Sequence, residues 1–152
     1  MSLYAALRFK GIVKKELREI FEPIAMEGLW RESPDDFLRK FGKANRISYA
    51  IPCYNSHIIE WWQKEPWECS YNKETGEWIF QSDINQYSFP FDEWMDEIVP
   101  YCMESVSHFE TWFEDFDYYS EYTCLEKFEN GEYKMLGHFC KDGTFTPAEE
   151  EG

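Results

Sequence analysis

His108 and Glu110 stand two positions apart in the stretch Val106 to Phe113, and Glu114 follows four positions later. On an extended strand, residues at even spacing share a face, so one imidazole and two carboxylates would come together there. That donor set suits a divalent cation, or a general base held by a carboxylate. Glu104 would join it if a helix ran on to His108. The metal reading therefore rests on His108, Glu110 and Glu114. It is the subordinate one, because the chain has three histidines and none stands in an H-x3-H pair. Clustered carboxylates are also often structural.

A second group interleaves carboxylates with rings: Glu110, Trp112, Glu114, Asp115, Phe116, Asp117, Tyr118 and Tyr119. Rings of this kind anchor protein interfaces, and carboxylates steer a basic partner onto them. The plainer account is a solvated face with its rings turned inward, which is what most charge runs are. Trp61 and Trp62 cannot point the same way on a strand. One of them is expected at the surface, as a ligand contact able to stack on a sugar, a base or a cation. No catalytic residue is assigned, since no G-x-S-x-G elbow, glycine-rich phosphate loop or HExxH occurs. Cys140 with His138, and Cys53 with His57, are close in sequence, but buried inert thiols explain them better. No cofactor is expected.

These candidates must be positioned by a chain of 152 residues, enough for one ordinary domain with a real core. Its 13 Phe, 10 Tyr and 7 Trp point to a core built from rings. Five cysteines without a CxxC pair read as reduced, mostly buried thiols, and give no zinc site. No run has the length of a bilayer span and no signal-peptide pattern opens the chain, so a cytoplasmic protein away from membranes is expected. Met1-Ser2-Leu3 and Glu151-Gly152 read as cloning remnants. Residues 4–146 are expected to form one domain, and 147–152 a disordered acidic tail.

Tyr4 to Val13 alternates as a strand. Leu17, Ile20, Phe21 and Ile24 recur at helical spacing, with Pro23 as a kink or break and Gly28 as the end. Ser33-Pro34 reads as a cap and first position of a second helix, with Phe37, Leu38 and Phe41 on its buried face and Gly42 as its stop. Ile47 to Ile51 and, weakly, His57 to Gln63 read as strands. Trp67 to Tyr71 and Glu77 to Ile84 flank a hairpin loop closed by Gly76. Asp92 opens a helix carrying Met95, Ile98, Val99 and Met103, kinked at Pro100. Strands follow, and Asn130-Gly131 is the strongest hairpin signal in the chain. Reduced to essentials this is β-α-β-β-α-β: an α+β fold with helices on one face of an antiparallel sheet, extended by a C-terminal β-hairpin. That order, with Thr75-Gly-Glu-Trp-Ile-Phe-Gln-Ser82 before a capped helix, resembles small uncharacterised ferredoxin-like proteins carried by phages and plasmids. The resemblance implies a mobile-element origin and assigns no site residue.

Net charge is −15, and it is uneven: residues 92–129 hold twelve carboxylates against Lys127 alone. Such a field repels phosphate backbones, so direct nucleic-acid backbone binding is not expected, whereas a basic protein is attracted. The leading reading is a non-enzymatic acidic interaction module, an inhibitor or immunity factor for a basic nucleic-acid-binding or toxin protein. A small metal- or ligand-dependent enzyme at the carboxylate and histidine site is the alternative. An assembly component, a homodimer through an exposed sheet edge, is the third.

Overall fold

In the computed structural model, which describes residues 4–44, 51, 62, 67–85, 92, 94–113 and 122–149, the first strand is covered on both faces. Strand β1 (Tyr4–Val13) sends Ala5, Leu7 and Phe9 to one side and Ala6 and Arg8 to the other, and all five are buried. A 3-10 turn at Lys15–Leu17 leads into helix α1 (Arg18–Glu27), which buries Phe21, Ile24 and Ala25. The helix runs through Pro23 and ends at Gly28, whose N–H reaches back to the Ile24 carbonyl.

Helix α2 (Asp36–Ala44) differs from expectation in three ways. Its cap is Asp35, whose Oδ1 accepts the N–H of Leu38 at 3.0 Å, while Ser33 Oγ accepts from Asp35 one step earlier. Asp35 offers its oxygen at the helical spacing, so it displaces Ser33. Gly42 does not stop the helix. It lies buried inside it, where a side chain would collide with Trp30, so glycine is needed for close approach. Phe37 is exposed and lies against Tyr101, with ring centroids 4.3 Å apart.

Strands β2 (Ser70–Tyr71) and β3 (Glu77–Asn85) enclose a turn in which Asn72 Oδ1 accepts the N–H groups of Glu74 and Thr75. A π-helical turn at Trp94–Ile98 passes into helix α3 (Val99–Cys102). Met103, expected on that helix, instead opens β4 (Met103–Phe113). Strands β5 (Tyr122–Glu129), β6 (Glu132–Cys140) and β7 (Phe145–Pro147) complete the sheet. Asn130 and Gly131 take φ of 55° and 79° between β5 and β6, the left-handed pair a two-residue hairpin requires. Beyond that hairpin a further strand forms. It takes in Pro147, and the N–H of Ala148 bonds to the Leu136 carbonyl, so the chain stays ordered past the expected start of the tail. The expected strands at Ile47–Ile51 and His57–Gln63 lie outside the described residues, except for Ile51 and Trp62, each in a turn.

The seven strands among the described residues are ordered β2-β3-β1-β4-β5-β6-β7, and each neighbouring pair is antiparallel. It follows that β1 and β2 are parallel with β3 between them, and β3 and β4 are parallel with β1 between them. One face of the sheet carries the aromatic core. Phe9 is its hub, with Trp78, Phe80, Trp94 and Phe109 at centroid distances of 5.6, 4.8, 5.9 and 6.0 Å. Such pairs contribute about 0.5–1.5 kcal/mol each beyond area burial. Trp94 is wholly buried there, and its indole N–H has no acceptor among the described residues. Of the described cysteines only Cys102 is buried; Cys69 is exposed and Cys124 and Cys140 are half-buried. No helix among the described residues is long and apolar enough to cross a membrane.

Candidate functional site

The opposite face of the sheet is polar and nonetheless largely buried. Residues opposite one another in an antiparallel ladder share a face. Arg8 stands opposite Gln81 of β3 and Glu110 of β4. One row to one side, Lys10 faces His108, and one row to the other, Ala6 faces Asp83 and Trp112. Arg8, Asp83, Glu110 and Thr123 are 3%, 1%, 4% and 0% exposed. Burying such groups is costly unless each is hydrogen-bonded.

The bonds are there. Arg8 Nε donates to Gln81 Oε1 at 2.9 Å, and Nη2 donates to the Trp62 carbonyl at 3.0 Å. The guanidinium also lies 4.6 Å from the Trp62 ring centroid and 5.1 Å from that of Trp67, within cation–π range. Trp67 is itself fixed: its indole N–H donates to the Phe80 carbonyl at 2.9 Å, and its ring lies 4.9 Å from that of His108. Glu110 uses both oxygens, Oε1 with His108 Nε2 at 2.8 Å and Oε2 accepting from Thr123 Oγ1 at 2.7 Å. An ionised carboxylate only accepts, so toward one the imidazole donates from Nε2.

Above this cluster opens a cleft of about 220 Å³. Its floor is Arg8, His108 and Glu110, with Trp62 and Trp67 as walls. The end of β6 and the turn after it close the far side, through Phe139 and Cys140 and through Lys141. What converges is one fixed cation, one imidazole, one doubly occupied carboxylate and three flat rings. That combination can orient a small ligand by charge and stacking.

The i, i+2 pairing of His108 with Glu110 is found as the alternation predicts, but Glu114 lies outside the described residues. Glu104 turns elsewhere, to an ion pair with Arg18 at 3.4 Å, because the helix that would have aligned it ends at Cys102. Among the described residues no three His, Cys, Asp or Glu side chains gather in a way that could hold a metal. Of the docking candidates, Glu110 and Trp112 have their side chains inside the molecule, and Asp115, Phe116, Asp117, Tyr118 and Tyr119 lie outside the described residues. Trp61 lies outside as well. Trp62 is 3% exposed and does stack on a cation, one supplied by the protein itself. His138 packs against Tyr122 with centroids 5.0 Å apart, and its Nδ1 lies 3.2 Å from the Thr123 carbonyl.

Arg8, Thr123, Phe139 and Lys141 were not legible as site residues. Arg8 did leave one signal, a lone charge within the apolar run Ala5 to Phe9. The fold and site together define an α+β protein with an antiparallel sheet, seven-stranded among the described residues, and a polar cleft on its second face. Comparison of the chain with family models, curated proteins and solved structures finds no match to any of them.

Proposed function

We propose that this domain binds a small organic ligand in the cleft above Arg8, His108 and Glu110. The observation that carries the reading is the buried polar row itself. A sheet needs no Arg, Glu and Thr at its centre for stability, and well-packed apolar residues often serve as well or better. Polar groups kept at that cost beside an open cleft, under aromatic walls, are the usual signature of a recognition site. We read the scaffold that holds them, strands β1 to β4 with their intervening helices, as a ferredoxin-like core, a reading supported by the order β2-β3-β1-β4 and the two interleaved parallel pairs. Strands β5 to β7 supply the far wall.

Tryptophan emission provides the test, because Trp62 and Trp67 line the cleft. Titration with a library of single-ring fragments is expected to give at least one saturable response that Phe139→Ala abolishes. A library without any saturable response, in emission or in thermal shift, would remove this reading.

A second reading, the acidic docking module, is favoured by a separate observation. Exposed Asp96, Glu97 and Glu104 accompany the exposed ring pair Phe37 and Tyr101 around α3. Carboxylates beside exposed rings match what a basic partner requires. Binding to such a partner should weaken as salt rises and be lost on reversal of those three charges; insensitivity to both would end it.

A further inference from the structure

The cleft is basic inside an acidic protein. Its lining carries Arg8 and Lys141, and its carboxylate, Glu110, already has both oxygens engaged by His108 and Thr123. Exposed Lys10 stands beside the floor, opposite His108 in the register and on the same face. Asp83 is buried one row away and does not line the cleft. From these placements, and resting on the ligand-binding reading above, we infer that the ligand is a small anion with a flat ring, of the aromatic carboxylate class.

Two magnitudes decide this. The chain bears −15, which repels anions from a distance. At physiological salt, however, the Debye length is about 8 Å, so remote surface carboxylates are screened while charges lining the cleft are not. The local cations therefore govern the last step of binding. Glu110 offers a ligand cation little because it is 4% exposed, although each oxygen keeps a lone pair beyond the one bond it makes. His108 presents an imidazole edge, and Lys141 lies exposed at the rim, free of the burial that fixes Arg8.

Size sets the rest. About 220 Å³ falls below the roughly 300–1,000 Å³ of drug-sized sites. One substituted ring fits such a space, and a dinucleotide does not. Trp67 and Phe139 offer flat apolar walls at its sides, and a planar ring gains most from such contact.

The experiment compares three isosteres of different charge, and with it of different hydrogen-bonding groups: benzoate, benzamide and benzamidine. Each is titrated into the full chain at fixed ionic strength and read by calorimetry and by the indole N–H signals of Trp62 and Trp67. Benzoate is expected to bind about tenfold more tightly than benzamide, in line with one favourable charge contact of this range, with benzamidine weakest. Lys141→Gln, at an exposed position, should cost benzoate several-fold and benzamide clearly less. Equal affinity for benzoate and benzamide, or a preference for benzamidine, would overturn the anion inference and leave the ligand reading standing. Silence from all three in both readouts would overturn the inference, and a fragment library silent as well would take the ligand reading with it.

Discussion

Replacing Thr123 by Val isolates one bond of the polar cluster with almost no change of shape. Thr123 is wholly buried, and its hydroxyl donates to Glu110 Oε2 at 2.7 Å. Valine fills the same volume, so no room opens for a water to take over as donor. The carboxylate oxygen is then buried without its partner. Loss of a hydrogen bond to a charged group costs about 1.5–3 kcal/mol. For a chain of this size, each kcal/mol moves Tm by about 2–4 °C, so a fall of roughly 3–12 °C is expected. Thr123→Ser is the control: it keeps the donor and removes one methyl, worth about 0.8 kcal/mol as a buried group. Urea denaturation of the three proteins, at equal slope, reads the difference. Val should therefore be the more damaging change, by about 1 kcal/mol or more. If Ser costs as much as Val, or if Val costs less than about 0.5 kcal/mol, packing of the methyl is what matters and the bond contributes nothing.

Four further outcomes follow from the geometry. Arg8→Met strips the guanidinium donors from Gln81 and the Trp62 carbonyl, two bonds to a charged group worth about 1.5–3 kcal/mol each, so it should destabilise by about 3–6 kcal/mol in urea. Arg8→Lys should recover less than half of that, because an ammonium lacks the planar fork and the stacking surface. Gly42→Ala would press a methyl into Trp30 and the Arg31 backbone, and overpacking of this kind costs about 1–3 kcal/mol, read as a fall in the urea midpoint. Tyr101 is pushed up to about 12, chiefly by its hydrogen bond to Asp35, and Tyr71 to about 12, chiefly by burial. Both phenols are raised, so the stability Tyr71 contributes is full below its ordinary value of about 10 and is lost as pH climbs through about 12. In an alkaline absorbance titration Asp35→Asn should bring one tyrosine back toward 10; an unchanged curve would rule out the Asp35 bond as the cause. Burial pushes the Cys102 thiol well up, whereas Cys69 is exposed. Alkylation mapped by mass spectrometry should label Cys69 in the native protein and Cys102 only on unfolding, and early labelling of Cys102 would contradict its placement.

Features fixed by neighbouring residues were legible in advance. Asn130-Gly131 demands left-handed φ twice in succession, and only a tight hairpin uses that. Trp78 and Phe80 alternate onto the core as period two requires, and His108 and Glu110 meet for the same reason. Errors arose where two local rules competed. Ser33 and Asp35 are both good caps, and only the path of the chain decides which oxygen meets the Leu38 N–H. Met103 suits the last turn of a helix or the first position of a strand, and pairing with Val13 of β1 selects the strand. Gly42 looks like a stop in sequence, because nothing nearby tells that Trp30 needs its space. The site was hardest to read because it is made by register. Thr123 reaches Glu110 across β4 and β5, and Phe139 lies opposite Thr123 on β6. No short window of sequence contains those pairings.

The two faces of the sheet divide the tasks of the fold. Phe9 and Arg8 are neighbours in β1, yet one sits among four stacked and edge-on rings and the other among hydrogen bonds that must each be kept. The aromatic side tolerates imperfect fit, since burial is roughly proportional to area and has no direction. The polar side does not, because a single unmatched donor there costs as much as a buried methylene or two contributes. A chain with 20% aromatic residues could cover both faces with rings. Here Arg8, Gln81, Glu110 and Thr123 occupy the second face, and Trp62 and Trp67 close over the guanidinium instead of replacing it. On the ligand-binding proposal, that arrangement gives up an apolar packing at the centre of the sheet, which often serves stability as well or better, for a fixed charge beneath an opening.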